Sequence, residues 1–436
     1  MSPANAELNA ALADADARYE AANPASAAQY GRAVEAMPGG NTRTTLFYPP
    51  FPLTLARGEG YRVWDLDGHA YVDFVCEYTA GLYGHSNPVI RAAIDNALDS
   101  GIVMGGQNEA EAVLAAALCA RIPSYDLVRF TNSGTEANLM AIAAARAFTG
   151  RDKVMVMGGG YHGGVLYFGF GGSPVNVPFD FVTAAYNDVE KTRALLRAHG
   201  DSLACAVLEP MMGAGGCIPA SEAFLAMMRE ETERCGALLI FDEVMTSRLS
   251  AGGLQQITGI TPDLTTLGKY VGGGMTFGAF GGRSDVMGLF DPRRPDALGH
   301  SGTFNNNMLT MNAGAAGLTR VFTAEAAEAL NARGDALRGR LQGVIDAAGA
   351  PVSLTGRGSM IGLHFAPEAP ETPLQAAEAP ADLKPLLHKD LLAAGVYTTP
   401  RGMYVLSLPM GDRETESLVT GLEEFLHTRR SLLAPD

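Results

Sequence analysis

Short apolar runs alternate with helical patterns between residues 88 and 310, and this alternation restricts the possible folds more than any other feature of the chain. Short apolar runs bounded by turn residues are typical of buried strands, and strands that alternate with helices form a parallel sheet covered by helices. We therefore predict an α/β fold with one large, mostly parallel, seven-stranded sheet. The predicted strands are 127–130, 153–157, 181–184, 204–208, 237–241, 264–267 and 277–281.

The two ends of the chain show other patterns. Residues 5–36 predict one or two amphipathic helices broken at Asn23-Pro24, and residues 53–68 predict a short β meander. After residue 311 a long helix precedes short strands, and the Pro-, Glu- and Ala-rich segment 366–382 is predicted to be an exposed loop. We expect an N-terminal segment, 1–75, that contributes to a small domain, a large domain, 76–311, and a small C-terminal α+β domain, 312–436.

The charge and the cysteines restrict the partners and the compartment. The 436 residues carry a formal net charge of −15 without a cluster of Lys and Arg, so we expect neither nucleic acid nor an anionic membrane as a partner. Five cysteines without a CxxC pair favour a reducing compartment and no metal site. The N-terminus does not read as a signal peptide, and no apolar run is long enough to cross a membrane, which predicts a cytoplasmic protein.

Two residues that follow predicted strands suggest a cofactor. Asp242 comes directly after strand 237–241, at the strand end where ligands bind in such sheets. Lys269 follows strand 264–267 and precedes three glycines, a setting in which a lysine can be desolvated and made nucleophilic. Pyridoxal 5'-phosphate needs a lysine on its aldehyde and an acid at its ring nitrogen, and the pair suggests this cofactor. Taken singly, each residue is equally explained as a turn cap or a surface lysine.

Small polar residues at the start of a predicted helix suggest a phosphate site. Ser133, Gly134 and Thr135 lie between strand 127–130 and the helix that follows. Free N–H groups and the positive end of a helix dipole bind phosphate there, although a plain helix N-cap would use the same residues. In the polar loop near residue 300, Thr303 is a further candidate phosphate donor.

Three more residues follow strands on the same predicted sheet. Tyr161 lies in a glycine-rich loop and could place its ring against a planar cofactor. Its neighbour His162 is equally explained as a structural histidine, and we assign it no catalytic role. Glu209 follows strand 204–208 and could either orient the site or cap its loop.

Two arginines and an aromatic group are candidates for substrate contacts. Arg43 and Arg401 lie in predicted loops, and a guanidinium group suits bidentate binding of a carboxylate, although a solvated surface position explains each residue as well. Phe47, Tyr48 and Tyr83 could form an apolar pocket or belong to the core.

Six motifs together resemble those of the class III aminotransferases of the fold-type I pyridoxal-phosphate family, in the same order and spacing. They are NSGTEAN (132–138), GGYHG (159–163), EP (209–210), FDEVMT (241–246), PDLTTLGK (262–269) and GTFNNN (302–307). The resemblance extends along nearly the whole chain.

The resemblance implies a role for each candidate. Lys269 would hold the cofactor as a Schiff base, and Asp242 would pair with its ring nitrogen. The family forms homodimers with shared active sites, so Thr303 would bind the phosphate from the partner subunit. The implied cofactor-binding residues are Ser133, Gly134, Thr135, Tyr161, Glu209, Asp242, Val244, Met245, Lys269 and Thr303, with Tyr161 and Val244 on the two ring faces.

Two branches of the family compete. The sequence DEVM and the early MPGG are similar to glutamate-1-semialdehyde aminomutases, which isomerise one substrate. The segments MPGGNTRTTLFY, with Arg43, and PRG, with Arg401, look closer to aminotransferases of aromatic β-amino acids such as β-phenylalanine. This likeness implies amino transfer to a 2-oxo acid such as 2-oxoglutarate or pyruvate. A racemase, another ω-aminotransferase and a non-catalytic binding module are the further alternatives.

Overall fold

The computed structural model describes residues 3–433, and in this part of the chain the strands form four sheets. The strands are β1 (Leu55–Glu59), β2 (Arg62–Asp65), β3 (Ala70–Asp73), β4 (Leu127–Thr131), β5 (Lys153–Met157), β6 (Asp180–Ala184), β7 (Leu203–Leu208), β8 (Met211–Met212), β9 (Ile218–Pro219), β10 (Leu238–Asp242), β11 (Leu264–Gly268), β12 (Gly278–Gly282), β13 (Ser353–Arg357), β14 (Met360–His364), β15 (Val396–Tyr397) and β16 (Met403–Val405).

Most of the longer helices begin after a polar residue whose side chain accepts a hydrogen bond from the first turn, which satisfies an otherwise free N–H group. The helices are α1 (Pro3–Ala22), α2 (Pro24–Ala33), α3 (Pro88–Ser100), α4 (Glu109–Arg121), α5 (Gly134–Thr149), α6 (Val189–His199), α7 (Glu222–Cys235), α8 (Leu254–Thr258), α9 (Ser284–Met287), α10 (Met308–Ala316), α11 (Ala324–Ala348), α12 (Pro373–Glu378), α13 (Lys384–Ala393), α14 (Asp412–Thr428) and α15 (Arg430–Leu433).

The largest sheet has seven strands in the order β4-β12-β11-β10-β7-β5-β6, which confirms the predicted α/β fold. Strand β12 runs antiparallel to both of its neighbours, and the other neighbouring pairs are parallel. Strands β7, β10 and β11 are buried at every position, as expected for central strands covered by helices on both faces. The carboxyl ends of β4, β11, β10 and β7 therefore lie along one edge of this sheet.

Strands from both ends of the chain share a second sheet. Its order is β1-β2-β3-β15, and β15 pairs in parallel with β3 through Val396 and Val72. A third sheet, β13-β14-β16, lies entirely in the C-terminal part. The shared sheet supports an N-terminal segment that contributes to the small domain, while the boundaries after residues 75 and 311 stay predictions.

Segment 366–382 is not the plain loop that its composition predicts, because it contains helix α12. Thr372 and Gln375 form a reciprocal capping box, and Pro373 occupies the first turn, where its missing N–H costs nothing. Pro373 is buried and packs on Gly159, so closely that any side chain at position 159 would clash with it. The prediction of a loop was wrong because it relied on composition and did not consider the helix start at Thr372, Pro373 and Gln375.

Between residues 3 and 433, no helix combines the length and the apolarity that crossing a membrane requires. In the same part of the chain, His, Cys, Asp and Glu side chains do not gather in threes as a metal site would need.

Candidate active site

The predicted cofactor residues meet at the carboxyl edge of the large sheet. Asp242 is the last residue of β10 and pairs with Thr266 of the parallel neighbour β11, and Lys269 lies directly beyond the end of β11. Strand β4 runs in the same direction and leads to Ser133, the N-cap of α5. The sheet thus brings together three residues from separate parts of the sequence.

The carboxylate of Asp242 is held by three donors. Oδ2 accepts hydrogen bonds from Nδ1 of His162 at 2.7 Å and from Nδ2 of Asn138 at 2.8 Å, and Oδ1 accepts one from the Val244 amide at 3.0 Å. Thr266 donates in turn to Oδ1 of Asn138 at 2.7 Å, which fixes the orientation of that amide. Because Asp242 is only 4% exposed, these bonds compensate for lost hydration and hold a buried anion in one place.

The electrostatics of His162 follow from this contact. Burial alone would lower its pKa, but the hydrogen bond to Asp242 and the charges of Asp242 and Glu209 outweigh burial and raise the pKa above its ordinary value. The structure places His162 behind Asp242 as a hydrogen-bond donor, a role that we did not assign from the sequence.

Lys269 combines backbone strain with a perturbed amine. Its φ of 53° lies in the left-handed region, which side chains other than glycine and asparagine rarely adopt. The pKa of Lys269 is lowered to about 8, chiefly by burial; the charge of Arg43 acts in the same direction, whereas the charges of Asp242 and Glu209 act in the opposite direction. A lysine with this pKa is neutral in part at physiological pH, and the neutral amine is the nucleophilic form.

Glu209 links two loops beside the site. Its carboxylate accepts hydrogen bonds from the Tyr161 amide at 3.1 Å and from the Gly213 amide at 2.9 Å. Burial raises the pKa of Glu209 to about 7. The bond to Tyr161 fixes the backbone below its ring, which is 41% exposed and lies edge-on to Tyr167 at 5.9 Å.

The start of α5 offers donors for an anion. Oγ of Ser133 accepts a hydrogen bond from the Glu136 amide at 3.2 Å, and within the described residues the amides of Gly134 and Thr135 have no hydrogen-bond partner. These free amides lie at the positive end of a 16-residue helix. A Cβ atom at Gly134 would come within 2.9 Å of Val244, so the anion site packs directly on the loop that follows Asp242.

The donor set fits pyridoxal 5'-phosphate. The buried carboxylate of Asp242 would suit a ring nitrogen, the Lys269 amine of lowered pKa would suit an aldehyde, and the free amides at the start of α5 would suit a phosphate. The sulfur of Met245 packs on Gly213 so closely that a Cβ atom at position 213 would clash with it. Met245 therefore contacts the loop that follows Glu209.

Thr303 is exposed and lies on a loop that contacts the residues before α5. In the Thr303 loop, Oδ1 of Asn305 accepts a hydrogen bond from Nδ2 of Asn132 at 3.0 Å. An exposed Thr303 is available to a partner subunit, and its contribution across a dimer stays a prediction.

The two candidate arginines differ in their surroundings. Arg43 forms an ion pair with Glu77, and its positive charge contributes to the lowered pKa of Lys269. Arg401 is exposed in the turn before β16, and in the described part of the chain no ion pair ties it. The side chain of Arg43 is thus held by a carboxylate, whereas within the described residues no ion pair holds that of Arg401.

The predicted aromatic pocket is not assembled. Tyr83 is 4% exposed and packs in the core against Tyr270, with ring centroids 6.2 Å apart, and against Gly317. Tyr48 is also buried, and Phe47 is 41% exposed. A substrate contact for Tyr83 has no support in these contacts, so Tyr83 is left out of the proposal below.

Sequence reasoning missed Asn138 and Thr266 as supports of Asp242. A signal was present, because Asn138 interrupts the apolar face of a helix and Thr266 lies in a central strand, and buried polar residues in such places need partners. This demand could have indicated Asn138 as a partner of the Asp242 carboxylate and Thr266 as a partner of Asn138.

Comparisons with known proteins identify the family. The family model of class III aminotransferases matches residues 47–426. The β-phenylalanine transaminase of Variovorax paradoxus is 52% identical over 429 residues, which is 98% of this chain and 99% of that protein. The crystal structure of a β-phenylalanine aminotransferase from Variovorax paradoxus matches with a TM-score of 0.96, 52% identity and coverage of 98% and 99% of the two chains.

An aminomutase is a more distant relative. The glutamate-1-semialdehyde 2,1-aminomutase of Methanobrevibacter smithii is 36% identical over 377 residues, 84% of this chain and 88% of that protein. The resemblance inferred from the six motifs is confirmed, because the family match begins before β1 and ends within α14. The chain belongs to the class III aminotransferases, which depend on pyridoxal 5'-phosphate.

Proposed function

We propose that this aminotransferase moves the amino group of an aromatic β-amino acid, of the β-phenylalanine kind, to a 2-oxo acid such as 2-oxoglutarate or pyruvate. The observation that carries the chemistry is the buried Asp242, held by three donors, beside a lysine whose pKa burial lowers to about 8. The choice of substrate is supported by the 52% identity to a β-phenylalanine transaminase over nearly the whole chain.

The bound cofactor supplies an aldehyde for the amine and an electron-poor ring that stabilises negative charge on the substrate carbon. Asp242 keeps the ring nitrogen protonated, and the hydrogen bond from His162 holds the carboxylate in position for this. The cofactor-binding residues of the proposal are Ser133, Gly134, Thr135, Tyr161, Glu209, Asp242, Val244, Met245 and Lys269, with Thr303 from the second subunit.

Lys269 acts as the general base and acid. Its Nζ would accept the proton that leaves the amine-bearing carbon of the substrate and would deliver a proton to the bound cofactor. A pKa of about 8 suits both directions, because it lies near the pH at which such an enzyme operates.

The two substrates of the reaction require two separate cations for their carboxylates. A β-amino acid and a 2-oxo acid hold their carboxylates at different distances from the reacting carbon, so one fixed cation suits only one of them. We assign Arg43 to the carboxylate of the β-amino acid and Arg401 to the α-carboxylate of the 2-oxo acid.

The proposal includes a homodimer with shared active sites and a location in the cytoplasm. The dimer is supported by the exposed loop of Thr303 beside the phosphate site. The location is supported by five free cysteines, which a reducing compartment would keep unpaired.

The experiment mixes the purified holoenzyme with 3-amino-3-phenylpropanoate alone and then adds a 2-oxo acid, while the absorbance of the bound cofactor is followed. We expect conversion to the amine form of the cofactor and recovery after the acceptor is added. Lys269→Ala should show neither change, and Lys191→Ala, at an exposed lysine of α6, serves as the matched control. Turnover of glutamate 1-semialdehyde without an acceptor, and none of the β-amino acid, would instead assign an aminomutase.

A further inference from the structure

Four consecutive residues without a glycine adopt left-handed backbone conformations next to the site. The φ angles of Cys76, Glu77, Tyr78 and Thr79 are 44°, 49°, 49° and 83°. Residues other than glycine and asparagine rarely adopt this region even singly, so the rest of the fold must impose the turn.

Buried groups from other segments hold the turn. Oδ1 of Asp73 accepts hydrogen bonds from the amides of Val75 at 2.9 Å and Cys76 at 3.0 Å. Sγ of Cys76 donates to the Val405 carbonyl at 3.2 Å, and Nη1 of Arg248 donates to the Thr79 carbonyl at 3.3 Å. The turn is therefore fixed on its inner side, without help from the Glu77 side chain.

The outer side of the turn contacts the segment that carries Arg43. Nη1 of Arg43 donates to Oε1 of Glu77, and the Tyr78 hydroxyl donates to the Thr45 carbonyl at 2.9 Å. The side chains of Arg43 and Glu77 are 41% and 54% exposed. An ion pair this exposed contributes little to folding stability, so stability does not explain a strained turn that presents a carboxylate to Arg43.

The turn is tied to the segment that follows Asp242, because Arg248 donates to the Thr79 carbonyl at 3.3 Å. The proposed function takes Arg43, on the outer side of this turn, as the ligand of the substrate carboxylate. A guanidinium group that faces Glu77 cannot present the same N–H groups to a second carboxylate, so the carboxylate of Glu77 and that of a substrate would compete for them.

We propose that Glu77 is a positioning residue that holds Arg43 in the free enzyme and competes with the carboxylate of the β-amino acid for it. The inference rests on the proposed function, since it takes Arg43 as the ligand of that carboxylate. Substrate binding exchanges one carboxylate for another on a guanidinium group that is already oriented, and only substrates that bear a carboxylate at the matching distance displace Glu77.

The test compares the wild-type holoenzyme with Glu77→Gln. Removing the competing charge should lower the KM for 3-amino-3-phenylpropanoate about two- to fivefold, as expected for an exposed ion pair, while kcat changes little. The inhibition constant of 3-phenylpropanoate, which has the carboxylate but no amine, should fall by the same factor. The KM for the 2-oxo acid and the KM for 1-phenylethylamine, which lacks a carboxylate, should not change.

A second variant guards against misfolding. Glu77→Asn also removes the charge, and asparagine tolerates positive φ better than most residues, so it should repeat the result. The double variant Arg43→Ala/Glu77→Gln should have the same KM as Arg43→Ala.

Glu416→Gln breaks an ion pair with Arg340 in which the side chains are 56% and 39% exposed, and this matched control should leave every KM unchanged.

Two results would overturn the inference: an unchanged or higher KM for the β-amino acid in Glu77→Gln, or an effect of Glu77→Gln that persists without Arg43. Failure of the proposed function looks different, because the wild-type enzyme itself would then not turn over 3-amino-3-phenylpropanoate.

Discussion

Nδ1 of His162 donates a 2.7 Å hydrogen bond to the carboxylate of Asp242, and both side chains are almost completely buried. Asn138 and Thr266 extend this contact through the sheet, so the acid expected at the cofactor nitrogen is supported by residues from a loop, a helix and a strand. Such support fixes the position of the charge before any ligand arrives, and preorganised charge is the main source of electrostatic catalysis.

Replacing His162 should weaken this preorganisation. His162→Leu removes one of three donors to Asp242, and a hydrogen bond to a charged group contributes about 1.5–3 kcal/mol. We expect kcat for the β-amino acid to fall roughly 10- to 100-fold, with weaker retention of the cofactor on gel filtration. The same change at the exposed His427 of α14 is the control, and a kcat equal to wild type in His162→Leu would contradict the role.

Capture of the cofactor by the apoprotein should depend on pH through Lys269. Burial lowers the pKa of Lys269 to about 8, so the neutral amine predominates above that pH and is lost below it. The rate of covalent capture should rise about tenfold per pH unit up to about pH 8 and then level off. Stopped-flow absorbance with Nα-acetyl-lysine as the reference measures it, and a rise that continues towards pH 10 would mean that the amine is solvated.

Gly163 packs against Thr135 in the first turn of α5, where we propose that phosphate binds. Gly163 has a φ of 130°, and a Cβ atom there would clash with the Thr135 hydroxyl. Gly163→Ala should lower the free energy of unfolding by about 1–3 kcal/mol and weaken cofactor binding, because Thr135 must move. Gly164→Ala is the control, since a Cβ atom at that glycine meets no atom within 4 Å. Denaturant unfolding and titration of the apoprotein with cofactor would show the difference, and equal behaviour of the two variants would refute it.

The two arginines should separate the two half-reactions. Arg43→Ala should raise the KM for the β-amino acid roughly 10- to 100-fold, and Arg401→Ala should do so for the 2-oxo acid, because each loses a charged hydrogen bond to a carboxylate. Arg57→Ala, at an exposed arginine of β1, is the control. Steady-state kinetics with each substrate varied in turn decides the matter: full turnover of β-phenylalanine by Arg43→Ala would remove that assignment.

The fold and the two central residues could be predicted because their signals are local. Each of the seven predicted strands is present with small shifts at its ends, since an apolar run between turn residues has few alternatives to a buried strand. Asp242 is the last residue of one such strand and Lys269 follows another, and parallel strands place their carboxyl ends at one edge.

The supports of the site could not be predicted because they depend on the path of the chain. His162 and Asp242 are 80 residues apart, and their contact exists only once β10, β7 and β5 lie side by side. The left-handed turn at Glu77 carries no sequence signal, because it contains neither glycine nor asparagine and is imposed by Arg248 and Val405. Tyr83 shows the same dependence on the path of the chain, since the sequence left pocket and core open and the structure buries its side chain.

The pairing of β3 with β15 has a consequence for biosynthesis. Val72 finds its neighbour Val396 more than 300 residues later in the chain. A ribosome that adds about 5–20 residues per second leaves the β3 edge uncovered for something like 15 to 65 s. An uncovered strand edge can pair with other chains, so nascent copies of this protein should depend on chaperones during that interval. The sheet that begins with the first strands of the chain is completed only when β15 emerges.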